Sequence, residues 1–491
     1  MSASKDKILR KQQIEAGTDK RSIAAAEAAK KRRKSNITYT IVAVALVIVF
    51  AFIFIYNSTF PSRHTTAVTI GGKEYSVAQL NYYYSSSYMS FYNAYSQYIS
   101  YGLFFDPQTS LADQMYSEDM TWRQYFLDSA VDSMTEIQVL NDAAEAAGFT
   151  LSEEDQAAYE STIHEIEEHW ADLGYSSLQQ YINLNYGTGV DMDTIRTELY
   201  RTYVASAYSQ SVHDGYEYSA EDLAAYYAEH ADEYDTIRFA YYADYDGTAD
   251  ADAAVAAVNG ADEEAFHNYI EETYSAEITS TSTAGGDLNE TYAAWLLDAA
   301  RQPGDAASFT DETNAITYVV MFLGRDTNDY HPVSFRHILK NAVDADGDGS
   351  FSETEIAEAA AAAQGVYDAW LAGDATEDSF AELANTESDD GGSNTTGGLY
   401  ETVAKGQMVE PIDTWIFDEA RQPGDTEILS YEGSNYTGTH VVYFVGTDAM
   451  TYAQTIADSA MRDEAYNEWL TAAKDALDVS TSHLRMAGKN H

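Results

Sequence analysis

The sequence predicts an α+β protein with an N-terminal transmembrane helix, a mostly helical domain, two tandem α+β modules and a C-terminal helix that packs back on the helical domain. Three observations carry this. Ile37–Tyr56 is a run of 20 residues without a charge, long enough to cross a bilayer as a helix. Helical patterns opened by capping signals fill most of residues 76–230. A block WLLDAARQPGD at 295–305 returns as WIFDEARQPGD at 415–425, which marks a duplicated unit of domain size.

The chain of 491 residues is too long for one core. It has no cysteine, which excludes disulfides, thiolate catalysis, a lipid-anchored cysteine and cysteine-based zinc sites. The net charge of −53 is unevenly placed, with +7 on residues 1–34 and −60 on the rest. So negative a body argues against nucleic-acid binding.

Residues 1–34 form a basic tail and 35–58 the spanning segment. Lys30 to Lys34 precede the apolar run without interruption, which places the N-terminus in the cytoplasm and the body outside. The apolar core is too long for a cleaved signal, and Asn57 to Pro61 is a poor cleavage site, so an uncleaved anchor is expected.

The helical domain covers 66–235. Val68 to Tyr75 reads as a hairpin around Gly71-Gly72. Ser76 and Gln79 form a capping box, Trp122–Ala147 is a helix with Gly148 at its C-cap, and Ser152 and Ser219 open further helices. Residues 82–101 hold eight tyrosines. Each alone is best read as helix packing. As a group they offer apolar rings with polar tips, suited to a cradle for unfolded chains. Residues 450–491 close the chain with a helix from Tyr452 to Asp478 and a tail.

The modules span 236–328 and 332–448. In the second, VSFRHILKNAV and YTGTHVVYFVG are β-branched-rich strands, each with one histidine, His337 and His440. Between them lie Phe380 to Ala384 (FAELA), Thr386-Ser388-Asp390 before Gly397-Gly398, Gly406-Gln407-Met408, Trp415-Ile416-Phe417 and Gln422 to Asp425 (QPGD). In this order the pieces resemble the parvulin family of peptidyl-prolyl cis/trans isomerases over nearly all of the module. Two departures stand out: a long insertion after the first strand, and Leu399-Tyr400 after the glycine pair where the family usually has Asp-Leu-Gly.

The resemblance implies roles. Met408 and Phe417 align with residues of the proline pocket, His337 and His440 with the paired histidines beneath it, and Asp390 with the family's acidic or cysteine position, Asp389 being the close rival. Thr439 is expected in the same network, and Trp415 in the core. Helical domain before isomerase module resembles the exported foldases of the PrsA and SurA type. The first module matches the second at Ile316–Gly324 against Gly438–Gly446, yet aligns Phe239, Tyr318 and Leu297 with His337, His440 and Phe417. From glycine pair to tryptophan it counts 10 residues against 18, so it lacks the loop that carries Met408. It is expected to fold without isomerising, as a spacer or peptide platform.

The insertion is Asp344 to Glu355, DADGDGSFSETE. It fits a twelve-residue calcium loop: Asp344, Asp346 and Asp348 at positions 1, 3 and 5, Gly349 at the turn, the Ser350 carbonyl at 7, Ser352 at 9 and Glu355 as the bidentate ligand at 12. A structural Ca2+ is expected there, and no cofactor for catalysis. The bland reading is a solvated acidic loop.

The sequence therefore points to a foldase anchored in the cell membrane. It would isomerise X-Pro bonds in unfolded exported polypeptides and act as a chaperone on them. A non-catalytic holdase, and a calcium-dependent surface scaffold, are the competing readings. A homodimer stays open.

Overall fold

The computed structural model describes residues 2–17, 20–56, 58–247, 249–276, 278–433 and 436–488. Asn57 of the expected spanning segment, Thr248 and Glu277 of the first module, Ser434 and Asn435 of the second, and the last three residues lie outside the described residues. The chain divides into two compact units. One comprises residues 1–215 and 465–491, the other 216–464.

In the first unit, a helix runs Lys20–Tyr56. Its stretch Glu27–Ala51 is long and apolar enough to cross a membrane, the one such helix among the described residues. Strands β1 (Thr66–Ile70) and β2 (Lys73–Ser76) form the expected hairpin. Gly71 and Gly72 both adopt positive φ, 57° and 83°, as a tight turn matching strand twist requires. Helix Val77–Ser100 starts in the Ser76/Gln79 capping box, and helix Trp122–Ala147 stops at Gly148 in the left-handed region. Together with helix Met192–Asp214 they bury Leu80, Tyr84, Phe126, Leu127, Met134 and Ile195 beneath β1. Tyr82, Tyr83, Tyr84 and Tyr88 are core residues, so the first half of the tyrosine run does pack as ordinary helix interior.

The C-terminal segment completes this unit. Leu470 packs against Val139, Leu140 and Ala205, and Lys474 pairs with Asp132 at 2.7 Å. β11 (Val479–Thr481) then adds to β1 as a third antiparallel strand. Arg123 donates to the carbonyl oxygens of Leu484, Ala487 and Gly488, pinning the tail.

The second unit holds two four-stranded antiparallel sheets of identical order, β4-β3-β6-β5 and β8-β7-β10-β9. In the first, β3 is Thr236–Asp244, β4 Thr279–Ala284, β5 Ala306–Asp311 and β6 Ile316–Asp326. In the second, β7 is Val333–Asn341, β8 Leu399–Val403, β9 Thr426–Glu432 and β10 Thr437–Thr447. Helices Glu353–Ala372 and Glu377–Glu387 cover one face of the second sheet, where Ile338 and Val441 meet Ala363, Trp370 and Phe380. Phe335, Val442 and Phe444 face the other way, onto Ile412, Trp415 and Ile416.

The repeated DxxRQPGD block is a structural latch. The guanidinium of Arg301 lies 4.9 Å over Trp295 and pairs with Asp298 and Asp305; Arg421 repeats this over Trp415, at 4.6 Å, with Asp418 and Asp425. Its near-identity in both copies thus reflects packing and not chemistry.

Candidate active site

Strand alternation sets the two histidines on one face. β7 and β10 pair so that Val442 lies opposite His337 and Leu339 opposite His440. The histidines are therefore diagonal neighbours, within reach of one another's side chains. Both are buried, at 3% and 2% exposure. Their Nδ1 atoms lie 3.1 Å apart, and their rings stand 5.3 Å centre to centre, 11° from parallel.

The loop after helix Glu377–Glu387 supplies the acid. Ser388 ties this loop to β7 by accepting the Leu339 N–H, and Asp389 turns back to accept from the Asn341 backbone. Asp390, not Asp389, reaches the histidines: its Oδ2 is 2.9 Å from His337 Nε2. The same oxygen accepts from Ser393 Oγ at 2.5 Å and Tyr400 Oη at 3.0 Å, and Oδ1 accepts the Gly392 N–H. Gly398 makes the closure possible. Its carbonyl accepts the His337 N–H, and a Cβ there would sit 2.2 Å from the His337 oxygen.

At the far end Tyr436 Oη lies 3.2 Å from His440 Nε2. With both rings neutral, one hydrogen assignment satisfies every contact. The carboxylate only accepts, so His337 carries its proton on Nε2 and accepts at Nδ1. His440 then donates from Nδ1 and accepts the Tyr436 hydroxyl at Nε2. The His337 hydrogen bond, against the opposing effect of burial, holds the Asp390 carboxyl well below the usual carboxylate range. Burial, then the neighbouring His337, pushes the His440 imidazole down to about 4.

Beside the chain is an apolar cluster, reached through Phe335 and Tyr400, whose rings lie 6.0 and 5.2 Å from that of His337. Met408 and Phe417, flanking the short helix Glu410–Ile416, are half-buried against the cluster of Val333, Phe335, Val403, Ile412 and Val442, as is Tyr400. Tyr330 packs edge-on to Phe417 at 5.7 Å, and the Lys405 ammonium lies 4.5 Å above the Tyr330 ring.

The sequence-predicted His337, Asp390 and His440 thus converge, and Met408 and Phe417 share one apolar cluster. Thr439 does not join them. It points to the opposite face, its hydroxyl 3.3 Å from Ser430, because adjacent strand residues face opposite ways. Tyr436, Ser393 and Tyr400 were not foreseen. Tyr400 occupies the departure after the glycine pair, where stacking on Phe335 (5.6 Å) aims its hydroxyl at Asp390. Nothing in the sequence marks Tyr436.

In the first module strand register corrects the alignment by two residues. Phe335 pairs with Phe444, and Phe239 pairs with Phe322. The position of His337 is accordingly held by Tyr241, not Phe239, and that of His440 by Tyr318, their rings 6.3 Å apart. Tyrosines stand where the imidazole pair stands in the second module.

In the insertion, carboxylate oxygens of Asp344, Asp346 and Asp348 lie within 4.8 Å of one another. Glu355 closes the loop, accepting from the Ala345 and Ser352 backbones, while Ser352 caps the following helix. An all-oxygen set of this kind fits a calcium ion.

Residues 337–444 match the rotamase family model, described as a PPIC-type PPIASE domain. The second module is a peptidyl-prolyl cis/trans isomerase domain of the parvulin type. Among solved structures, the chain is similar to foldase protein PrsA from Streptococcus pneumoniae (11% identity, covering 75% of this chain and 93% of that one, TM-score 0.26). It is similar also to PrsA from Bacillus subtilis (12% identity, 74% and 89%, TM-score 0.28). No curated protein matches the chain.

Proposed function

We propose that the chain is a membrane-anchored, extracytoplasmic foldase that isomerises X-Pro bonds in unfolded exported polypeptides and holds those chains while they fold. The observation that carries this reading is the hydrogen-bonded line Asp390–His337–His440–Tyr436 beside the half-buried Met408 and Phe417.

The reaction breaks no bond. A planar amide resists rotation by about 18–20 kcal/mol, and X-Pro bonds exchange over tens of seconds or more. A catalyst needs only to bind the twisted amide better than either planar form. Met408 and Phe417 would grip the pyrrolidine ring. Asp390 would stand near the substrate carbonyl as a fixed negative group. His337 and His440, locked to each other, would hold that carboxylate in place. Neither imidazole acts as a nucleophile.

The anchor rests on the apolar helix and the basic cluster before it. The first module would bind peptide or act as spacer, having tyrosines where the imidazoles belong. The insertion would bind Ca2+ through Asp344, Asp346, Asp348, Ser350, Ser352 and Glu355, stiffening the link from β7 to the following helix. The test is isomerisation of a short X-Pro peptide by the full chain and by its His440→Ala variant. Activity in the first and its loss in the second support the reading; no activity in either leaves a holdase.

A further inference from the structure

Helix Val77–Ser100 and the loop after it carry an aromatic surface that nothing in their unit covers. Tyr95, Tyr98, Tyr101, Leu103, Phe104 and Tyr116 are between 41% and 72% exposed. Three of these rings are held in place: Tyr95 packs on Phe91 at 4.7 Å and on Phe104 at 5.3 Å, and Tyr116 stacks on Tyr125 at 4.4 Å. Phe104 has a φ of 70°, a conformation that a bulky residue adopts only where its surroundings impose it. Phe91 and Tyr125 in turn line a groove of about 420 Å³ between helices Val77–Ser100 and Trp122–Ala147, with Ser87, Ser90 and Ser129 along it. Phe91 and Tyr125 thus serve both, packing on rings of the patch and lining the groove.

The second observation is charge. Residues 74–195 contain 20 Asp and Glu and a single Lys or Arg, Arg123. That one cation is spent on the carbonyls of Leu484, Ala487 and Gly488.

We propose that this surface docks unfolded polypeptide segments that are cationic and apolar at once, with Lys or Arg interleaved among aliphatic and aromatic residues. Apolar side chains would cover the exposed rings, and ammonium or guanidinium groups would meet ring faces and the surrounding carboxylates. Rings already fixed by their neighbours lose little freedom on binding. Charge also selects among occupants. A second copy brings the same carboxylates and an anionic bilayer brings phosphates, whereas a basic partner gains from this field. The foldase reading supplies the source of such segments, while the chemistry of the surface stands apart from it.

The test uses the full chain in zwitterionic nanodiscs and fluorescent, proline-free peptides. One peptide interleaves Lys with Leu and Phe. A second replaces each Lys by Glu, and a third replaces each Leu and Phe by Ser. Only the first is expected to bind, and more weakly as salt rises. Tyr101→Ser/Leu103→Ser/Phe104→Gly should weaken it about tenfold or more. Asp113→Lys/Glu118→Lys, which alters exposed carboxylates outside the core, should weaken it about threefold. His440→Gln should bind it as the parent does. Equal binding of the Glu peptide, unchanged affinity in both surface variants, or self-association that the ring substitutions abolish would each overturn the proposal. Loss of isomerase activity in every form would overturn the foldase reading alone.

Discussion

His337 and His440 meet Nδ1 to Nδ1 at 3.1 Å, so only one of the two atoms carries a proton when both rings are neutral. That single shared hydrogen makes the outer contacts directional, toward Asp390 at one end and from Tyr436 at the other. Removing His440 would leave the Tyr436 hydroxyl and His337 Nδ1 without their partner. His440→Ala should lower kcat/KM for an X-Pro peptide on the order of 10²-fold. It should also cost about 1–3 kcal/mol in urea unfolding, since a buried polar group is orphaned. Retained activity would refute the assignment.

Acid should unlock the same pair. His440 sits at about 4 in the folded chain against an ordinary 6.5. Between those values the unfolded state binds the proton more readily, so stability rises with pH. The contribution is complete above about 6.5 and is lost as pH falls toward about 4. Asp390, held low, adds a second loss that begins below its ordinary 3.8. Melting temperatures across this range should fall more steeply for the parent than for His440→Gln.

Gly398→Ala should be costly out of proportion to its size. The added Cβ would meet the His337 carbonyl oxygen at 2.2 Å, and φ is 69°. Backbone cannot yield as a flexible side chain does. We expect a loss above the roughly 1 kcal/mol usual for such a change, measured by denaturant midpoint, together with loss of isomerase activity, because the loop carrying Asp390 is displaced.

Calcium should raise the melting temperature of the parent chain, with an affinity of about 10⁻⁴–10⁻³ M, as for extracellular loops. Asp344→Asn and Glu355→Gln should each abolish the rise. A melting temperature indifferent to calcium would identify the insertion as an ordinary solvated loop.

Restoring histidines to the first module should not restore catalysis. Tyr241→His/Tyr318→His replaces the dyad positions but not the missing loop or an acid, so the double variant in a His440→Ala background should stay inactive toward X-Pro peptides.

The architecture was legible because its signals are local or repeated. Ser76 and Gln79 cap a helix in sequence as in space, Gly71-Gly72 marks a hairpin, and the DxxRQPGD copies announce two equal sheets. Convergence of His337 and His440 was legible only through resemblance, since 103 residues separate them. What escaped depends on tertiary register. The two-residue offset between Phe239 and Tyr241 hides in similar aromatic strands, which align equally well either way. Thr439 was misread because adjacency in sequence suggests a shared site, while a strand sends neighbours to opposite faces. Tyr436 enters from a strand end with no motif of its own.

The pairing of Val68 with Thr481 has a consequence for synthesis. The first strand after the apolar helix pairs early with β2, but its other edge must wait until Thr481 has been made. Both four-stranded modules are complete well before then. Each newly made molecule therefore finishes its catalytic part first and closes its own helical body last.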